Sequence, residues 1–530
     1  MKKYISSILF GTCLLAFTSC KKYLDINTNP NQATSSTPTY VLPNALAVTA
    51  SSTDVTYHNY GAQTVGYEVN AGGYGGWGTI FTYNYSTSEQ TGLWTSMYNN
   101  LRDYQYILSQ TEGVATSTYF NAAARIMKAY DFQLLVDQYG DIPYSEALQG
   151  ADFLTPKYDK AEAIYQDLIV QLNKAIADIN AADEGTQLNI SSADIMFHGD
   201  MQKWKQLANT IKLRILIRAS GSSLSSYVTT QLGSFNTADG FLNDDAIINP
   251  GYIVTDGKQN PIWNTYHSNA GGTQSGFGRQ FIPSTYVLQF YNGGKLTDDT
   301  RADLTYYHGV TVPNNQLGND ATPPNAPSGT PAWYIGGTNY ANAPNTVGVL
   351  KGRTMGSPLF LAAESHFLLA EAALKGYALA GTAQANFDAG IAASFAYLEK
   401  DVSGSIADNT PQEDATAYQL ENAGAAKAYL ANYNLAATNE QRLEAIITQK
   451  YIALNFIHGH EAWNEYRRTG YPVTTGTAAN TSFASVTSQS TRTDRLPVRV
   501  QYPSSEYTYN PGNVPSGINV YTSRLFWDAN

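Results

Sequence analysis

The sequence predicts a mainly α protein, a scaffold of helix pairs carrying long, irregular loops. Two observations lead there. Several stretches place apolar residues at alternating steps of three and four, the period of a helix with one buried face. Between them lie aperiodic segments, about 72–90, 235–280, 305–356 and 471–525, dense in Gly, Asn, Pro, Tyr and Trp. Loops this long in a compact protein are usually functional, which makes the loop-rich half the place to look for a ligand.

Residues 1–19 open with Lys2 and Lys3, continue through the apolar run Ile8 to Phe17, and reach Thr18-Ser19 before Cys20. A cationic start, a short apolar segment and small residues describe an export signal, too short to span a hydrocarbon layer of about 30 Å. Leu14-Leu15-Ala16-Phe17-Thr18-Ser19-Cys20 resembles a bacterial lipoprotein signal, in which the cysteine is acylated and becomes the new N-terminus. The only other cysteine is Cys13, inside the signal, so the mature chain is expected to have no disulfide and no cysteine metal site. Acyl chains would hold the protein at a membrane through burial of about 0.8 kcal/mol per CH₂. Residues 20–42, rich in Asn, Thr, Ser and Pro, read as an extended tether, and 43–530 as a single helical domain with loop insertions.

Within that domain, Phe120, Ala123, Met127, Tyr130 and Leu134 share a face of a helix ending near Gly140. Ile164, Leu168, Leu172, Ile176 and Ile179 do the same in a helix that begins after Tyr158-Asp159. Trp204, Leu207, Ile211 and Ile215 mark a third, with Asp200 as its N-cap. Ser357-Pro358 has the form of a cap followed by proline in the first turn, and is expected to open a helix through Leu359, Ala363, His366 and Ala370. Leu443, Ile447, Tyr451 and Leu454 define a late helix that Gly459 is expected to close. Short connections pair these helices as in helical-hairpin stacks, although no 34-residue consensus repeats cleanly.

Composition narrows the function. The 530 residues carry 32 Lys+Arg against 43 Asp+Glu, a net charge of −11, and 39 Tyr outnumber the cations. Nucleic-acid affinity comes mainly from clustered Lys and Arg, so nucleic acid is set aside. Gly73-Tyr74-Gly75-Gly76-Trp77-Gly78 satisfies G-x-G-x-x-G but lacks the preceding hydrophobic strand a dinucleotide site requires. His458 and His460 miss the zincin spacing, and Asp298, Asp299 and Asp303 miss the calcium-loop spacing. Gly272 to Gly276 misplaces its serine for a nucleophile elbow. No cofactor, metal or catalytic residue is therefore expected. The positive signal is aromatic. Sugars present C–H faces ringed by hydroxyls, and flat amphipathic side chains beside amides suit them. The candidate ligand contacts are Tyr74 and Trp77, then Trp263 and Tyr266, then Trp333, Tyr334 and Tyr340.

Several segments together resemble one family, the SusD/RagB outer-membrane lipoproteins of Bacteroidota. They are Cys20 to Asn27 with Asn29-Pro30-Asn31, Tyr139 to Ala147 (YGDIPYSEA), Trp204 to Arg214 (WKQLANTIKLR), and Ile447 to Leu454 with Glu461-Ala462-Trp463. Tyr466 to Pro472, Arg495-Leu496-Pro497, Tyr502 to Tyr507 and Asn510-Pro511 continue the likeness, which weakens over 291–350. The resemblance implies a tetratricopeptide-like fold with a loop-rich ligand-binding half. It also implies a non-catalytic, cell-surface binder in the outer membrane that captures oligosaccharides, or in some members peptides, for a SusC-like TonB-dependent barrel transporter. A surface glycoside hydrolase is the alternative from another class, because a catalytic carboxylate pair is recognised by its separation in space. Trp463 and Arg467, although within the matching motifs, read as scaffold.

Overall fold

A computed structural model of the chain describes residues 36–320, 336, 347–406 and 410–530. Cys13, Cys20, Trp333, Tyr334 and Tyr340 lie outside them. The principal helices are α1 (Pro38–Ser51), α2 (His58–Thr64), α3 (Thr91–Thr111), α4 (Thr118–Tyr139), α5 (Ala161–Ala181) and α6 (Met201–Ala219). After the loop-rich middle come α7 (Ala362–Leu374), α8 (Ala383–Glu399), α9 (Pro411–Glu421), α10 (Asn439–Ala453) and α11 (Gly459–Thr469). Helices α3 to α6 pack on one another in sequence, as do α7 to α9, and α7 also lies against α6 and α10. This is the expected mainly helical scaffold of stacked pairs.

The predicted faces are the buried ones. Phe120, Ala123, Met127, Tyr130 and Leu134 of α4 are all in the core, and Gly140 caps that helix at φ 73°, a conformation glycine adopts without steric cost. The apolar stripe of α5 is equally buried. Asp200 caps α6, accepting from the backbone N–H of Gln202 at 3.0 Å and Lys203 at 3.1 Å.

Three local expectations are corrected. Helix α1 begins at Pro38, inside the segment read as tether, with proline tolerated in its first turn. Ser357-Pro358 does not open a helix: Ser357–Phe360 is a strand paired antiparallel with Ala246–Ile248, and α7 starts beyond it. Gly459 does not close the late helix, which ends at Ala453, but begins α11. Its role is close approach. A Cβ there would lie 2.4 Å from the Ala62 backbone nitrogen, and one on Gly61 would lie 2.1 Å from that of His460. The glycines thus let α2 and α11 touch backbone to backbone.

A cluster of ion pairs is buried in the core. Between α4, α6, α7, α10 and α11, Arg218 pairs with Asp137 and Glu461, Lys450 lies 3.2 Å from Glu364 and 3.1 Å from Glu465, and Arg468 lies 2.6 Å from Glu371. All are buried. Lys450, then Arg214, offset burial at Glu364 and hold its carboxyl below the ordinary range. Such a cluster is weak evidence of net stability, but removing one partner is costly. Trp463 and Arg467 are buried beside it, Arg467 donating to the carbonyls of Val498 and Asp137. His458 and His460 are buried as well, and burial pulls His458 down to about 4. No cluster of three or more metal-ligating side chains occurs among the described residues. Nor is any helix among them long and apolar enough to cross a membrane.

Candidate ligand-binding cleft

The first aromatic loop is placed by two features. A wide π-helical turn at Ser52–Tyr57 joins α1 to α2 and shifts the helical phase, so that Val55, Thr56, Asn59, Tyr60 and Gln63 face one cleft. Then Val69–Asn70 pairs antiparallel with Phe281–Ile282, and the Ala71 N–H donates to the Gln280 carbonyl at 2.7 Å. That pairing sets the loop after Asn70 beside the short helix Gly276–Gln280, though the two are about 200 positions apart in sequence. Gly72, Gly73 and Gly76 all take positive φ, up to 98°, which side-chain-bearing residues seldom adopt.

Together these segments enclose a cleft of about 470 Å³, within the range of small-ligand sites. Its wall is a run of rings. Trp77 stacks on Phe81 (centroids 5.5 Å apart, planes at 15°) and meets Phe281 edge-on at 5.3 Å, while Phe277 stacks on Phe281 at 5.1 Å. Trp77 is 4% exposed and Phe277 43%, so Trp77 is the back wall and Phe277 the surface a ligand can cover. The Trp77 Nε1 finds no acceptor among the described residues.

The polar lining is made of amides: Asn59, Gln63, Gln90 and Gln280. Gln63 donates to the Asn59 Oδ1, which leaves the Asn59 amide hydrogens and the Gln63 carbonyl for a ligand. No Asp, Glu, Lys, Arg or His lines the cleft among the described residues. Tyr60, the titratable group in that described lining, is raised by burial and stays neutral. The described lining therefore offers stacking and hydrogen bonding.

Of the aromatics picked out in the sequence, Trp77 lines the cleft, and Tyr74 is half-buried in the same loop. Tyr266, 1% exposed, sits behind the wall with its ring 6.0 Å from Phe281 and 6.4 Å from Phe277. Trp263, 5% exposed, stacks on His267 at 3.8 Å. Neither lines the cleft, and Tyr266 backs the rings that do. Gly336, between Tyr334 and Tyr340 in sequence, donates to the Thr305 carbonyl at 2.7 Å. Phe277, Phe281 and the four amides were not singled out in the sequence, where a lone Gly-Phe-Gly carries no signal.

A family model described as "Starch-binding associating with outer membrane" (SusD-like) matches residues 30–503. The chain belongs to the SusD-like family. Solved structures share its fold over nearly its whole length. A chitin-binding SusD homologue from Flavobacterium johnsoniae is 23% identical, with TM-score 0.69, covering 92% of this chain and 99% of that one. A structure named as a chitin-binding protein is 25% identical, with TM-score 0.63, covering 92% and 100%. A SusD homologue from Bacteroides vulgatus is 21% identical, with TM-score 0.68, covering 89% and 92%. No curated protein matches. The helix pairs are the fold that this chain shares with these SusD-like structures.

Proposed function

We propose that this SusD-like protein is a non-catalytic glycan-binding lipoprotein of the outer membrane. It faces the cell surface, is acylated at Cys20 after removal of residues 1–19, and is tethered by the residues that follow. It captures oligosaccharides in the cleft between Phe277, Trp77 and the amides of Asn59, Gln63 and Gln280, and delivers them to a SusC-like TonB-dependent barrel. The observation that carries the reading is the lining itself, rings and carboxamides without a charged side chain among the described residues. A neutral sugar loses little by leaving water for such a surface, whereas a charged ligand would be stranded without a partner. Family membership and the chitin-binding relatives support it. Calorimetric titration with chito-, malto- and cello-oligosaccharides beside a peptide panel tests it. Saturable binding of a glycan recovered uncut is expected; affinity for peptides alone would overturn the glycan half, and cleavage would overturn the non-catalytic half.

A further inference from the structure

A second cavity, of about 350 Å³, lies between the turn that follows Thr285–Leu288, helix α10 and the loop after α11. We propose that it binds a small carboxylate-bearing ligand, with the Lys295 ammonium as the counter-charge. This goes beyond the glycan reading and does not depend on it.

Among the described residues that line the cavity, Lys295 is a cation without a carboxylate in ion-pair contact. The Lys295 Nζ sits over two rings, 3.6 Å from the centroid of Tyr286 and 4.4 Å from that of Phe290, and no carboxylate among the described residues pairs with it. Its neighbours are already matched: Lys427 lies 2.6 Å from the Glu444 Oε1, and the Tyr429 hydroxyl donates to the Glu444 Oε2 at 2.6 Å. The charged and titratable groups facing Lys295 are thus Lys427, Glu444, Tyr286 and Tyr429. Their net charge with Lys295 is positive. Burial, reinforced by Lys427 and opposed by Glu444, pulls the Lys295 amine down to about 7. A carboxylate in the cavity would relieve that cost, since a paired buried charge is far less unfavourable than an unpaired one.

The remaining walls suit a compact organic body. Leu430, Pro472 and Val473 supply apolar surface around the ammonium. The frame is fixed before any ligand arrives. Asn422 bridges to both backbone groups of Thr297, at 2.9 and 2.8 Å. The Tyr286 hydroxyl donates to the Val473 carbonyl at 2.6 Å. A uronic-acid sugar and the C-terminus of a short peptide share the required chemistry and fit a volume of this order.

Calorimetric titration of the whole mature protein with glucuronate and with N-acetyl-dialanine, beside glucose and the dipeptide amide as uncharged counterparts, tests the proposal. Saturable binding of at least one carboxylate at pH 6 is expected, with no binding of its uncharged counterpart; which carboxylate binds identifies the source. Affinity should fall about tenfold between pH 6 and pH 8 as Lys295 loses its proton. Lys295→Met should abolish binding, and Lys295→Arg should keep it while removing the pH dependence over that range, both with an unchanged melting temperature. Absence of saturable carboxylate binding at pH 6, equal binding of the uncharged counterparts, or undiminished binding by Lys295→Met would each overturn it.

Discussion

Replacing Phe277 by Ala probes the cleft with the least damage to the fold. The side chain is 43% exposed, and a phenyl ring of this kind buries roughly 200 Å² when fully covered. A ligand can therefore cover about 85 Å² of it, worth about 2 kcal/mol at about 25 cal/mol per Å². Its loss should weaken glycan binding about 30-fold. The same exposure limits the structural cost. The variant forfeits chiefly the stack on Phe281, about 1 kcal/mol, while Trp77, Phe81 and Phe281 still hold one another. Calorimetric titration of Phe277→Ala with the glycan that binds the parent protein measures the first number, and urea unfolding the second. A dissociation constant within twofold of the parent, in a variant shown to be folded, would refute the assignment of this surface.

Three further outcomes follow from the scaffold. Gly459→Ala should destabilise by about 1–3 kcal/mol or more in urea unfolding, because its Cβ would meet the Ala62 and His58 backbone, which cannot swing aside. Arg218→Met should cost about 3–5 kcal/mol by the same measurement, since it strands Asp137 and Glu461 in the core. Asp131, buried among Thr49 and Asn100, is raised by burial to about 7. A raised carboxyl pKa stabilises fully below the ordinary value near 4 and loses that contribution as pH rises through about 7. Asp131→Asn should therefore gain on the parent by up to about 4 kcal/mol between pH 4 and pH 8, read from urea midpoints across that range.

What could be read in the chain was whatever depends on neighbours three or four residues away. The faces of α4 and α5 and the cap at Asp200 are local patterns, and they appear where the spacing put them. Ser357-Pro358 is equally local as a pattern, but its partner Ala246–Ile248 lies about a hundred residues upstream and claims it for a strand. Gly459 looks like a stop signal because its actual neighbour, Gly61, is about 400 positions away. The cleft was hidden for the same reason. Trp77 stood out by its type, whereas Phe277 acquires meaning only once Val69–Asn70 pairs with Phe281–Ile282 and sets the two segments side by side. The low charge content was visible from composition, but not its distribution, with an ion cluster sealed between helices and a cleft whose described lining carries no charged side chain.

The central claim is that this cleft holds a neutral glycan and leaves it intact. Titration of the mature protein with neutral oligosaccharides, followed by chromatography of the recovered ligand, tests it most directly. Saturable binding of at least one oligosaccharide, returned at its original length, is the predicted result; shortened products, or no saturable binding of any oligosaccharide, would contradict it.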